Sequence, residues 1–155
     1  MYIALNDVKI ASYSSLITGS TGRCAHDLVI LINRNTGSAT YFPGKINDVF
    51  AKYFKDAGFT VRGMEGIEVP FDKVQELSGE QVYGFIKRHF LKHKGADAIY
   101  MLGSGWRTLN IIKTLEQDLQ VPVVHPVTAR VWEIQKRLHV REPRAGFGHL
   151  LDALP

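Results

Sequence analysis

The sequence predicts an α/β protein in which a parallel β-sheet carries helices on both faces. Strand-like and helix-like patterns alternate along the chain, and glycines or prolines separate many of them. The run "DAIYML" is continuously apolar, which is typical of a strand buried on both faces of a parallel sheet. At 155 residues, the chain is long enough for one domain with a sizeable core.

The first half of the chain contains five predicted elements. "VKIASY" predicts a strand, and "CAHDLVILINRNTG" predicts a helix that Gly37 ends. "SATYF" predicts a short strand, which Pro43 and Gly44 follow as a turn. In "KINDVFAKYFKDAG" the apolar residues recur at helical spacing until Gly58, and "FTVRGM" then predicts another strand.

The second half continues the alternation. Ser78 and Gln81 have the spacing of a capping box, which predicts the start of a helix that Gly95 closes. After "DAIYML" come an amphipathic helix around 111–119, the strand "VPVVH" and a helix over about 127–138. The tail "REPRAGFGHLLDALP" is irregular, with one turn of helix. We find no repeat and no low-complexity linker.

Composition limits the class of protein. Hydrophobic residues make up 45% and charged residues 22%, which is ordinary for a globular protein in water, and the net charge is +4. Cys24 is the single cysteine, so an intrachain disulfide is excluded and a reducing compartment is favoured. No apolar run approaches the roughly 20 residues of a membrane span, and the first residues lack a signal-peptide pattern. We therefore expect a cytoplasmic protein without a membrane partner.

The densest basic run is "FIKRHFLKHKG". It is expected to be the exposed face of a helix, because Val82, Phe85 and Ile86 fall on the opposite side. His89 and His93 have i,i+4 spacing but are placed on this basic face, and no metal site is predicted. No aromatic-basic module or zinc spacing accompanies the run, so a nucleic-acid partner is not expected.

Three polar stretches should meet at one edge of the sheet. They are "SYSSLITGSTG", "YFPGKIN" and "LGSGWRT", and each is located at the end of a predicted strand. Ligands of parallel sheets bind beyond the carboxyl ends of the strands, and helix N-termini favour carboxylates or phosphates. None of the three matches a phosphate loop or a dinucleotide fingerprint. Each could also be a tight turn that uses Gly and Ser for geometry alone.

The C-terminal part of the sequence then resembles a known family. "GADAIYMLGSGWRTLNIIKTLEQDLQVPVVHPVTARVWEIQKRLHV" and the later "GFGHLLD" are similar to the C-terminal part of the arylmalonate decarboxylase and maleate cis-trans isomerase family, within the aspartate/glutamate/hydantoin racemase superfamily. The shared features follow one another in the same order as in the family. They are a strand, a small-residue turn, "RTL", "LE", "PVV", a tryptophan and two glycines before a leucine. "YFPGKINDVFAKYFKDAGFTV" is similar to the family's Pro-Tyr-Pro-type turn and helix, and "SYSSLITGSTG" to its N-terminal active-site loop.

The resemblance implies one racemase-like domain over 1–155. In it, 1–40 would be the remnant of an N-terminal lobe and 41–155 the C-terminal lobe. It also implies a cofactor-independent decarboxylase, isomerase or racemase acting on a small carboxylate. An incomplete N-terminal lobe would leave apolar sheet surface or an edge uncovered, so we expect a homo-oligomer.

Chemistry in this superfamily centres on one cysteine in each lobe. By resemblance, the C-terminal one falls at Ser104 and the N-terminal one near Ala11 or Ser12, while Cys24 is expected to be structural. A serine hydroxyl ionises far less readily than a thiol and needs a general base to act as a nucleophile. Ser104 is therefore the candidate catalytic position, with weakened chemistry.

The candidate substrate-binding residues lie in the three stretches and at the end of the strand "VPVVH". The backbone N–H groups of Gly105 and Trp106 are expected to complete an oxyanion pocket. His125 could touch the ligand or only hydrogen-bond at the end of its strand, and Trp132 is expected in the core. The full candidate set is Ser12, Tyr13, Ser14, Ser15, Tyr41, Gly103, Gly105, Trp106 and His125.

Three interpretations remain open at this point. The chain is an enzyme of the decarboxylase and isomerase type with altered chemistry. Alternatively, it is a non-catalytic relative with a carboxylate-binding or structural role, which the missing cysteines favour. The third interpretation is an unrelated doubly wound binding module, which the long C-terminal resemblance disfavours.

Overall fold

The computed structural model describes residues 9–12, 29–32, 35–42, 44–56, 58–103, 105 and 107–152. Helices and strands alternate over most of this range, as expected. The strands are β1 (Lys9–Ser12), β2 (Val29–Ile32), β3 (Asn35–Thr40), β4 (Thr60–Gly66), β5 (Ala98–Leu102) and β6 (Val123–Val124). The α-helices are α1 (Lys45–Asp56), α2 (Gly79–Lys92), α3 (Ile112–Leu119), α4 (Pro126–Arg137) and α5 (His149–Asp152).

Four strands form a parallel sheet in the order β4-β3-β5-β6. All five residues of β5 are buried, which confirms the interior strand predicted from "DAIYML". Its side chains alternate between the two faces of the sheet. Ile99 and Met101 pack with α2 and α3, whereas Tyr100 and Leu102 pack with α1, α4 and α5. Helices therefore cover both faces, and the α/β fold class is confirmed.

The N-terminal strands differ from the prediction. β1 is a strand, as expected, but its membership in the parallel sheet is wrong, because it pairs antiparallel with β2 in a separate two-stranded sheet. The helix predicted for "CAHDLVILINRNTG" is also wrong over its described part, where Val29–Ile32 and Asn35–Thr40 are strands. A short run of β-branched residues such as "VILI" fits a buried strand as well as a helix. Gly37 lies inside β3 and does not end a helix.

The other predicted helix ends are confirmed. Ser78 Oγ accepts a hydrogen bond from the Gln81 N–H, and Gln81 Oε1 accepts one from the Ser78 N–H, which completes the capping box of α2. Gly58 and Gly95 follow α1 and α2 with φ of +91° and +85°. Among the described residues, no helix has the length and apolar character needed to cross a membrane.

The buried side of α2 is wider than predicted. Val82, Ile86 and His89 are all buried, so the placement of His89 on an exposed basic face is wrong. Residues 82, 86, 89 and 93 are separated by four, three and four positions, and this spacing keeps them on one side of a helix. The imidazole of His89 therefore continues the apolar side of α2 toward the sheet.

Candidate functional site

The turn after β5 requires glycine at position 103 and has little room for a side chain at position 105. Gly103 has a φ of +107°, which side chains with a Cβ rarely adopt. A Cβ at Gly103 would lie 2.3 Å from Cζ of Tyr41, and a Cβ at Gly105 would lie 3.1 Å from its Oη. The two glycines thus allow the backbone of this turn to lie directly against the ring of Tyr41.

Tyr41 joins the turns that follow β3 and β5. Its side chain is buried, and its Oη accepts a hydrogen bond of 3.1 Å from the Gly105 N–H. The Gly105 N–H thus donates to Tyr41 in this structure, and its role in an oxyanion pocket stays a prediction. The rings of Phe42 and Phe71 lie 4.7 Å and 5.9 Å from the Tyr41 ring and fix its position.

Polar side chains hold the turn between β3 and α1. Thr40 Oγ1 donates a 2.7 Å hydrogen bond to Asn47 Oδ1 and accepts one from the Phe42 N–H. Asn47 Nδ2 donates to the Phe42 carbonyl at 2.8 Å. Both Thr40 and Asn47 are buried. The pattern of "YFPGKIN" did not reveal this role of Asn47, whose only signal is a polar residue on the inner side of an amphipathic helix.

His125 caps α4. It follows β6, is fully buried, and its Nδ1 accepts a 3.1 Å hydrogen bond from the Val127 N–H. A neutral imidazole that accepts at Nδ1 carries its proton on Nε2. Its carbonyl also accepts a 2.9 Å hydrogen bond from Thr128 Oγ1. Of the two interpretations of His125, the structure therefore supports a hydrogen-bonding role at the end of its strand.

Two polar residues directly after the glycine turn were not predicted. Arg107 is exposed and donates a 2.9 Å hydrogen bond to Gln75 Oε1, but no carboxylate pairs with it among the described residues. Thr108 is fully buried, and within the same part of the chain its Oγ1 has no hydrogen-bond partner. Both belong to the "RTL" motif, which was the signal that could have found them.

The remaining predicted site residues cannot be placed against these groups. Ser12 is the last residue of β1 and pairs with Val29 through the backbone. Ser104, Trp106 and three residues of the N-terminal loop, namely Tyr13, Ser14 and Ser15, lie outside the described residues, as does Cys24. The structure thus brings together Tyr41, Gly103 and Gly105, and it shows His125 as a helix cap.

A cavity of about 660 Å³ lies beside this turn, not on it. It opens where β3 and β4 end, and two carboxylate residues are part of its lining. The lining residues are Phe42, Gly44, Asn47, Glu65, Gly66, Ile67, Glu68, Val69 and Pro70.

The "LE" and the second of the two C-terminal glycines have a structural explanation. Glu116 of α3 accepts hydrogen bonds from the Val123 N–H at 3.0 Å and from the His149 N–H at 2.7 Å. Burial raises the pKa of this carboxyl group, while the two N–H donors oppose that shift. A Cβ at Gly148 would lie 2.5 Å from Ile112 Cγ2, so glycine is required for the C-terminal segment to lie on α3.

Comparison with known proteins agrees with this architecture. The sequence profile of the arylmalonate decarboxylase family matches residues 8–151. A crystal structure of arylmalonate decarboxylase is similar with a TM-score of 0.71 and 22% identity, over 77% of this chain and 53% of that one. No curated protein sequence matches the chain.

Two maleate isomerases are similar to the same extent. The Nocardia farcinica maleate cis-trans isomerase bound to Tris has a TM-score of 0.69 and 24% identity, over 77% of this chain and 48% of that one. The maleate isomerase Iso of Pseudomonas putida S16, in a variant with maleate, has a TM-score of 0.70 and 20% identity over the same shares. The chain spans about half the length of the solved structures that it matches. With the family profile covering nearly all of its residues, the chain belongs to the arylmalonate decarboxylase family.

Proposed function

We propose that this chain binds a small carboxylate or dicarboxylate at the turn 103–108, with catalysis at carbon weakened or lost. The observation that carries the proposal is the pair of polar groups directly after the glycine turn. Arg107 has a guanidinium that no described carboxylate neutralises, and Thr108 has a buried hydroxyl without a hydrogen-bond partner among the described residues. Guanidinium groups bind carboxylates with two parallel hydrogen bonds.

The position of the turn supports the same proposal. It follows the carboxyl end of the fully buried β5, where ligands of parallel sheets bind. Tyr41 brings the turn after β3 to the same place. Among the similar structures, one is a maleate isomerase variant with maleate, and one is a cysteine-to-serine variant of the Nocardia farcinica isomerase with a covalently bound succinylcysteine intermediate. A small dicarboxylate is accordingly the ligand class that we propose here.

Weakened catalysis is proposed from Ser104 and Gly105. By family resemblance Ser104 stands at the position of a catalytic cysteine, and a serine hydroxyl is a poor acid and nucleophile without a base. The Gly105 N–H donates to Tyr41 instead of facing a developing oxyanion. A non-catalytic relative that binds a carboxylate, or has only a structural role, is the second candidate, and this hydrogen bond favours it. The assignment of 1–40 to the remnant of an N-terminal lobe and of 41–155 to the C-terminal lobe belongs to the same proposal, as does a cytoplasmic homo-oligomer.

The binding part is tested by thermal denaturation with malonate, maleate and phenylmalonate at millimolar concentration. A ligand that binds only the native state raises the melting temperature, by an amount that grows with its concentration. Arg107→Gln should abolish the rise without lowering the melting temperature of the free protein, because Arg107 is exposed. Arg141→Gln, another exposed arginine, is the matched control and should leave the rise unchanged. If no member of the panel shifts the wild-type protein, the binding proposal is wrong.

The catalytic part is tested by turnover of maleate and of arylmalonates. We expect little or none in the wild-type protein, and Ser104→Cys should add a thiol that reacts with iodoacetamide. Trace proton exchange in Ser104→Cys would show that the rest of the site is intact. Robust wild-type turnover that disappears in Ser104→Ala would show that the serine itself carries the chemistry, which contradicts the proposed weakening.

A further inference from the structure

Three side chains of the type that bind metal ions meet between β4 and the end of α2. Glu65 belongs to β4, His89 to the last turn of α2, and His93 comes directly after that helix. Their ligand atoms all lie within 4.8 Å of one another. Glu65 Oε1 is 2.9 Å from His93 Nε2, and Glu65 Oε2 is 3.6 Å from His89 Nδ1. We call this set the Glu-His-His cluster.

His89 is the buried member of the Glu-His-His cluster. Its side chain is only 2% exposed, and within the described residues neither ring nitrogen makes a hydrogen bond of normal geometry, although the Gly63 backbone and the Glu65 carboxylate lie near the ring. The 3.6 Å separation from Glu65 is too long for a hydrogen bond. A buried imidazole in this state lacks the interaction that water would give it, which is unfavourable. A ligand between His89 and Glu65 would supply that interaction.

The two carboxylate–imidazole distances of the cluster are close to those around a small divalent ion. Zinc binds histidine nitrogen and carboxylate oxygen at 2.0–2.2 Å, so ligand atoms around a tetrahedral ion lie about 3.3–3.5 Å apart. The distances of 2.9 Å and 3.6 Å lie on either side of this range. The i,i+4 spacing places both imidazoles on the same side of the chain. Gly63 leaves room for them, because a Cβ there would lie 2.5 Å from the His93 ring.

We propose that Glu65, His89 and His93 form a binding site for a divalent transition-metal ion, with zinc as the preferred ion and one coordination position open to solvent. Two imidazoles and a carboxylate are ligands that zinc accepts readily. The open position follows from exposure, since the side chains of Glu65 and His93 are 35% and 24% exposed. Burial also lowers the pKa of His89, which favours the neutral imidazole that metal binding needs.

Lys92 competes with the metal ion for Glu65. Its Nζ lies 2.5 Å from Glu65 Oε1. The lysine side chain is 65% exposed, so it can leave the carboxylate without losing buried contacts. Removal of its charge should therefore strengthen metal binding. If the cluster serves only as an ion pair with Lys92, loss of the lysine charge does not raise the affinity for metal. A variant without this charge therefore distinguishes a metal site from a simple ion pair.

The test is calorimetric titration of the full chain with zinc chloride, in a Cys24→Ser background so that the single thiol does not bind metal. We expect saturable binding of one zinc ion per chain. His93→Gln and Glu65→Gln should each weaken the affinity at least tenfold, whereas Lys92→Gln should strengthen it. His139→Gln removes an exposed histidine outside the cluster and is the matched control, with unchanged affinity.

Cobalt gives a second readout. Co²⁺ should produce the visible absorption of a four-coordinate ion in the parent protein, and this absorption should be lost in His93→Gln. Circular dichroism should show that every variant retains its fold. The proposal is overturned if zinc binding is not saturable, if His93→Gln and Glu65→Gln bind as tightly as the parent, or if Lys92→Gln does not bind more tightly.

Discussion

Replacement of Gly103 by alanine tests the packing of the glycine turn against Tyr41. Two costs add at this position. Alanine at a positive φ costs about 1–2 kcal/mol, and the new Cβ would lie 2.3 Å from the Tyr41 ring. Overpacking of a well-packed site typically costs about 1–3 kcal/mol more. We therefore expect Gly103→Ala to lower the free energy of unfolding by about 2–5 kcal/mol.

Gly95→Ala is the matched control. Gly95 also has a positive φ, +85°, but nothing lies within 4 Å of a Cβ built there. This variant should lose only the backbone part, about 1–2 kcal/mol. The two free energies are measured by urea denaturation monitored by circular dichroism. In thermal scans of a domain of this size, each 1 kcal/mol corresponds to about 2–4 °C in melting temperature.

A double variant identifies the origin of the difference. When Tyr41 is replaced by alanine, the ring that the new Cβ would contact is absent, so Gly103→Ala should then cost no more than Gly95→Ala does. The coupling free energy between positions 41 and 103 should be about 1–3 kcal/mol. If Gly103→Ala and Gly95→Ala agree within about 0.5 kcal/mol, or if the two changes at 41 and 103 are additive, the contact does not explain the glycine.

Two further predictions concern polar groups. Asn47→Ala breaks the buried hydrogen bonds that hold the turn between β3 and α1, and it should lower the free energy of unfolding, measured by urea denaturation, by about 2–4 kcal/mol. Asn110→Ala changes an exposed residue and should lower it little. Equal losses in the two variants would contradict the role of Asn47 in holding the turn. The hydrogen bond from Lys92 is the largest cause that lowers the pKa of Glu65 from 4.5 to about 2, so this carboxylate stabilises the fold above pH 4.5, and that stabilisation is lost as the pH falls toward 2. Glu65→Gln should flatten stability against pH in this interval, and Glu68→Gln, at an exposed position, should leave the slope as in the wild type.

The order of strands and helices from "YFPGKIN" onward could be predicted from local patterns alone. Apolar periodicity marked α1, α2 and β5, and the Ser78 capping box marked the start of a helix. These features depend on residues close in sequence, whose spacing is the same in any fold. The prediction failed for Val29–Ile32, because a run of four apolar residues is compatible with both a strand and a buried helix. Only the pairing with β1 decides between them.

The position of the turn after β5 was predicted from the sequence, but its contacts were not. The glycine turn lies at the expected edge of the sheet, yet the contact between Tyr41 and Gly105 joins residues 64 positions apart. No local pattern reveals such a partner. His89 was missed for a different reason: its residue type suggested the surface, whereas its spacing from Val82 and Ile86 already indicated the buried side of α2. Greater weight on periodicity than on polarity would have placed His89 on the buried side of α2.

The two faces of the sheet have consequences for synthesis on the ribosome. The face with α2 and α3 has all its main core residues once Val123 has emerged. The opposite face still lacks Leu150 and Leu151, which pack there with Trp132. At translation rates of about 5–20 residues per second, those leucines emerge about 1–5 s later. During that interval the nascent chain presents an apolar surface around Tyr100, which is a natural target for a chaperone until α5 arrives.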